Sequence, residues 1–121
     1  MPVRLLSSSV MRWPSAKTVH EAVHAWAKAM AQHHKGVRRI GYFGSYARGD
    51  WGVGSDVDLI VIIEQADLPF ERRPVQWDTL SLPVSADLLV YTADEWEQLQ
   101  GRFKETVKRE AVWVYERNDA T

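Results

Sequence analysis

The chain has 121 residues, a mass of 13.9 kDa, a formal net charge of −1 and no cysteine. That length holds one domain with a sizeable core and leaves no room for a second full domain. The near-neutral balance excludes a basic nucleic-acid coat and a polybasic membrane anchor, and the lack of cysteine excludes a disulfide scaffold, a thiolate zinc site and a cysteine nucleophile.

Residues 1–14 carry little pattern and end at Trp13-Pro14; they read as an N-terminal extension to a domain over 15–121. Met11 stands as an alternative start. From Lys17 to His34 the residues Val19, Val23, Trp26, Ala27 and Met30 recur at helical spacing and predict an amphipathic helix. Thr18 with Glu21 has capping-box spacing, Ser15 competes as N-cap, and Gly36 stops the helix. Arg39 to Phe43 reads as a short strand, followed by a glycine-bracketed turn over Gly44 to Gly49 and a loop over Asp50 to Ser55.

Asp56 to Ile63 is the strongest strand signal, continuously apolar after Asp58 and therefore covered on both faces. Pro69, Pro74 and Pro83 break up residues 64–84, leaving one helical turn around Val75 to Thr79. Ala86 to Tyr91 reads as a strand. Thr92 and Glu95 form a second capping-box pattern that opens a helix over Asp94 to Leu99, and Phe103 to Glu110 reads as another. Val112 to Tyr115 fits either a last strand or a continuation of that helix. The order predicts an α/β (α+β) fold with a single small mixed sheet flanked by helices. The longest aliphatic run, Leu59 to Ile63, falls far short of the ~18 residues of a membrane span, and the absence of cysteine suits a reducing cytoplasm.

The chemistry concentrates in residues 44–58. Gly44 lets the backbone approach a ligand closely. A short helix begun at Ser45 would present its first amides and hydroxyl to phosphate. Asp56 and Asp58, two residues apart at a strand entrance, point to one face. Two carboxylates held that close repel each other unless a cation lies between them, and oxygen donors suit Mg²⁺ or Mn²⁺. A site for two ions needs a further carboxylate from a neighbouring strand. Asp87 precedes Leu88-Leu89-Val90 as Asp58 precedes Leu59-Ile60-Val61, so pairing of these strands would bring the two together; Asp78 and Glu64 are its rivals.

Gly44-Ser45-Tyr46-Ala47-Arg48-Gly49 followed by Ser55-Asp56-Val57-Asp58-Leu59 resembles the signature of the DNA polymerase β-like nucleotidyltransferase superfamily, and the small size resembles its minimal nucleotidyltransferases (MNT proteins). The resemblance implies that Gly44 and Ser45 contact nucleotide phosphates, with Arg48 and Ser55 in support. It implies that Asp56, Asp58 and Asp87 are catalytic and bind two Mg²⁺, and that ATP or another nucleoside triphosphate is the donor. Many MNT proteins resemble antitoxins paired with a helical HEPN toxin, some of which transfer AMP to a toxin tyrosine. That is the leading expectation. A small-molecule acceptor such as an aminoglycoside, and a non-catalytic antitoxin or binding module, are the alternatives.

Trp51 and Trp77 are candidates for a partner surface or for ordinary packing, and a homodimer stays open. His20 and His24, four apart on the first helix, have the spacing of a metal pair but no third ligand, and beside the Val19–Val23 stripe they read as boundary positions. Glu71-Arg72-Arg73 and Lys104 to Arg109 read as solvated faces, so strong nucleic-acid binding is not expected.

Overall fold

A computed structural model describes residues 13–118. The elements are α1 (Ala16–His33), β1 (Val37–Phe43), α2 (Ser45–Arg48), β2 (Val57–Ile63), a 3-10 helix (Phe70–Gln76), β3 (Ala86–Thr92), α3 (Ala93–Gln98), α4 (Arg102–Glu110) and β4 (Val112–Glu116). The reading of residues 1–12 lies outside the described residues. Trp13 and Pro14, placed by sequence in the extension, touch the domain: the Trp13 indole donates to the Tyr46 hydroxyl at 2.8 Å, which donates to the Pro14 carbonyl at 3.4 Å.

The four strands form one mixed sheet in the order β3-β2-β1-β4. β1 runs antiparallel to β2 and β4, and β2 runs parallel to β3. Pairing with β1 settles residues 112–116, whose short apolar run fits a strand or a helix by period alone. The central β2 has both faces covered, as its composition predicts. Val57, Leu59, Val61 and Ile63 pack with Val19, Val23, Trp26 and Ala27 of α1. Ile60 and Ile62 pack with Trp96 of α3 and Val107 of α4. That alternation also fixes the first carboxylates: Asp58 shares the face of Ile60 and Ile62, under α4.

Ser15, not the Thr18–Glu21 pair, caps α1, accepting from the Thr18 amide. The capping box at Thr92 and Glu95 forms as its spacing predicts. In the proline-broken segment the helical turn lies earlier than expected, at Phe70–Gln76 instead of Val75 to Thr79. Pro69 stands ahead of it as N-cap, and Pro74 is tolerated inside so short a helix.

Glu71 and Arg72 are exposed, as the reading of this run as a solvated face expects, but that reading fails at Arg73, whose side chain is only 7% exposed. Its guanidinium donates to the carbonyls of Leu68 (2.8 Å) and Val90 (2.9 Å) and to both oxygens of Glu95 (2.6 and 2.9 Å). One side chain thereby ties the segment over the edge strand β3, an edge that would otherwise stay open. Arg73→Met should lower stability by about 2–4 kcal/mol, because it strands the Val90 carbonyl and the Glu95 carboxylate; urea unfolding measures the loss. The same pair sets an acid limit. The Arg73 guanidinium and the Thr92 amide hold the Glu95 carboxyl down from 4.5 to about 2. Its contribution is complete above the unfolded value and is lost as pH falls from 4.5 towards 2. Arg73→Met should flatten stability against pH within that window.

Candidate active site

One cleft lies at the sheet end where β1 finishes and β2 and β3 begin. It is about 400 Å³ and is lined by Phe43, Gly44, Ser45, Arg48, Asp56, Asp58, Asp87, Thr106 and Glu110. Its back wall is a consequence of register. In the parallel β2–β3 pair, Asp58 and Asp87 are Cα partners, and Phe43 is the antiparallel partner of Asp58 on the other side. Phe43 at the end of β1 therefore lies beside Asp58 and Asp87 at the starts of β2 and β3, with Asp56 just before β2. The rivals for the third carboxylate lie elsewhere. Asp78 accepts from the Leu80 amide in a turn, and Glu64 pairs with Arg38 and Arg117.

The Gly44 turn closes tightly on this wall. Gly44 has φ +79° and ψ −152°, a conformation essentially confined to glycine, and a Cβ built on it would collide with Oδ2 of Asp58. The Arg48 amide donates to the Gly44 carbonyl at 2.9 Å, so α2 begins directly at the cleft. Tyr46 is buried beneath it and Trp51 stacks on the Tyr46 ring, with centroids 5.4 Å apart.

Burial raises the Asp58 carboxyl above its ordinary value, and the charges of Asp87 and Asp56 push it further; Arg48 opposes them. Asp58 thus senses both of its acidic neighbours. The three form a set of hard oxygen donors whose excess negative charge a divalent cation would relieve. Among the described residues no three side chains of this kind already converge on one point.

Arg48 and Ser55 are placed less simply than the motif implies. The Arg48 guanidinium is held between Oδ2 of Asp50 (3.0 Å) and Oε1 of Glu110 (3.2 Å). The Ser55 hydroxyl accepts from the Gly52 amide at 2.8 Å and shapes the loop without lining the cleft. Glu110 and Thr106, one turn apart on α4, also line the cleft. Neither stands out in the sequence. The only signal is a Thr-x-x-x-Glu spacing on one side of a predicted helix.

The remaining candidates lie away from the cleft. His20 is hydrogen-bonded to the Tyr42 hydroxyl at 2.9 Å, with His24 beside it. Trp77 is buried and stacks on His34, so it serves packing and not a partner surface. In Lys104 to Arg109 the side chains of Glu105, Lys108 and Arg109 are exposed as expected, whereas Val107 is buried in the core and Lys104 is half-buried and donates to the last carbonyls of α3. No described helix is long and apolar enough to cross a membrane.

Residues 25–114 match the nucleotidyltransferase domain family. Protein adenylyltransferase MntA of Thermococcus cleftensis is 37% identical over 81 residues, covering 65% of this chain and 76% of the relative. The fold is similar to a crystal structure from Sulfolobus solfataricus described as a nucleotidyltransferase, with a TM-score of 0.62, 16% identity and 84% of each chain covered. It is also similar to a chain in the crystal structure of a toxin-antitoxin with AMP-PNP, with a TM-score of 0.52, 15% identity and coverage of 78% and 73%. At those identities the two structures support the shared fold alone.

Proposed function

The chain belongs to the nucleotidyltransferase domain family and is a nucleotidyltransferase, and from that premise we propose that it moves AMP from ATP to a hydroxyl of a partner protein and acts as an antitoxin. The partner in this reading is a helical HEPN-type toxin, the acceptor a tyrosine of that toxin, and the compartment the cytoplasm, where ATP is available. The observation that carries the proposal is the β2–β3 register, which sets Asp58 beside Asp87 with Asp56 two residues away and the Gly44-Ser45 turn against them. The name of the Thermococcus relative supports AMP as the group transferred. The toxin-antitoxin fold neighbour is consistent with the partner class.

In this reading Asp56, Asp58 and Asp87 hold two divalent cations, Mg²⁺ or Mn²⁺. The chemistry such ions supply is a lowered pKa at the acceptor hydroxyl and neutralisation of the departing pyrophosphate. The chain's own contribution is placement. Gly44 lets the backbone turn under the carboxylate of Asp58. Gly44 and Ser45 border the space where the phosphates would lie. Arg48, held at the cleft by Asp50 and Glu110, brings one positive charge to the mouth. Ser55 supports the loop that leads into β2.

The protein, Mg²⁺ and ATP labelled on the α-phosphate, mixed with lysate of the source cell, should label one small protein. The Asp56→Asn chain should label nothing. Label on a small molecule would replace the acceptor. Label kept by Asp56→Asn would overturn the site. Absence of label with every nucleotide and with Mn²⁺ would leave a binding module.

A further inference from the structure

A second cavity, of about 370 Å³, carries the opposite charge to the catalytic cleft. It is lined by Arg39 of β1, Trp113 of β4, Trp96 and Glu97 of α3, and Lys104 and Lys108 of α4. The two sites share α4 without sharing a residue. Thr106 and Glu110 line the cleft, and helical period turns Lys104 and Lys108 to the other side. Three cations against the Glu97 carboxylate leave two positive charges in excess. Packing accounts for part of the set. Gly41 has no side chain where a Cβ would collide with the Trp113 ring, so the indole settles on β1. The Arg39 guanidinium then lies over that ring, its Cζ 3.7 Å from the centroid. Lys104 donates to the Trp96 and Glu97 carbonyls, at 2.6 and 3.1 Å, at the end of α3. Packing leaves two features unexplained. The Arg39 Nε is buried with no hydrogen-bond partner, and its ionic partner, the 62% exposed carboxylate of Glu116, lies 3.5 Å away. Lys108 is exposed and has no hydrogen bond or ion pair among the described residues. A buried donor without an acceptor, among cations held close together, calls for an anion.

We propose that this cavity binds a phosphate monoester. Such a group carries about two negative charges at neutral pH and three acceptor oxygens, which match the excess charge of the lining and its unused N–H donors. The Arg39 guanidinium is pre-set by its stack on Trp113, which suits its planar fork to a phosphate. Lys108 adds a point charge one turn beyond Lys104. Glu97 opposes the anion and so limits the affinity. The proposal uses no residue of the catalytic cleft and stands apart from the transfer reaction. The same group is carried by a mononucleotide and by a phosphorylated side chain.

The test follows the amide and indole N–H signals of the intact chain by NMR, without divalent cations, as inorganic phosphate, AMP, adenosine or a phosphoserine tripeptide is added. Phosphate should move the Trp96 and Trp113 indole signals and the Arg39 and Lys108 amides along one saturable curve. The Kd should be about a few millimolar at about 50 mM salt and several-fold weaker at about 300 mM. Lys108→Gln should weaken binding about threefold or more, and Glu97→Gln should tighten it about twofold or more. Both positions are exposed, so neither change threatens the fold. Arg39→Gln should cost the most, about tenfold. Tighter binding of AMP than of phosphate identifies a mononucleotide as the source, and tighter binding of the tripeptide a phosphorylated polypeptide; either supports the site. Shifts confined to Gly44 and Ser45 place the phosphate in the catalytic cleft and overturn the proposal. Shifts that never saturate, or that spread evenly over the exposed lysines, show non-specific attraction and also overturn it. So does adenosine matching the affinity of AMP, or an affinity that neither Lys108→Gln nor Glu97→Gln changes.

Discussion

Asp58→Asn is expected to cut nucleotidyl transfer by about a thousandfold or more while leaving the metal-free protein at least as stable as before. The two effects have one cause. Burial, then the charges of Asp87 on the paired strand and of Asp56 two residues back, push the Asp58 carboxyl above its ordinary range. A carboxyl with a raised folded-state pKa binds more protons folded than unfolded. Stability therefore falls as pH rises through its ordinary value of 3.8 and into the raised range. Asparagine keeps the shape, removes the charge, and should return about 1 kcal/mol at neutral pH. Thermal unfolding with and without Mg²⁺ separates the consequences. The native chain should gain stability from the cation by mass action, and the Asp58→Asn chain should gain much less. A variant that unfolds earlier in the absence of metal would show Asp58 to be structural. One that transfers AMP at the native rate would remove it from the chemistry.

Much of this site could be read before any coordinates, for reasons that particular residues show. Asp56 and Asp58 are legible because strand period two is rigid: residues two apart share a face whatever the rest of the chain does. Asp87 is legible through the echo between Asp58-Leu59-Ile60-Val61 and Asp87-Leu88-Leu89-Val90, and the parallel register pairs those residues one for one. Glu110 was beyond that kind of reading. It reaches the cleft because α4 crosses the face of Ile60 and Ile62 and returns its last turn to the glycine turn, where it meets Arg48 across a separation of 62 residues in sequence. Charge runs fail in the same way. Arg73 looks solvated within Glu71-Arg72-Arg73 because nothing local announces Glu95, already committed to its capping box, as the second anchor. Local signals predicted elements, caps and the carboxylate pair. Pairings set by tertiary packing alone had no local signal to read.

Gly44→Ala should remove both stability and transfer, and comparison with Gly49→Ala shows why the first loss exceeds backbone strain. Both glycines have positive φ, +79° and +90°. A Cβ on Gly49 meets nothing within 4 Å, so alanine there should cost only the left-handed penalty of about 1–2 kcal/mol and leave transfer largely intact. At Gly44, ψ of −152° lies outside even the left-handed helical region, and the new methyl group would occupy the position of Oδ2 of Asp58. Either the turn opens or the carboxylate is driven from the wall it shares with Asp87. The expected loss is about 2–4 kcal/mol in urea unfolding, with transfer reduced at least as far as in Asp58→Asn. Asp58→Ala placed on top of Gly44→Ala should restore part of the stability and none of the transfer, giving a coupling between the two sites of about 1 kcal/mol or more. Additive losses would mean that Gly44 is needed for its backbone alone. Strong coupling would mean that the glycine is there to admit the carboxylate, so that one missing side chain both shapes the turn and sets the position of the group on which the chemistry depends.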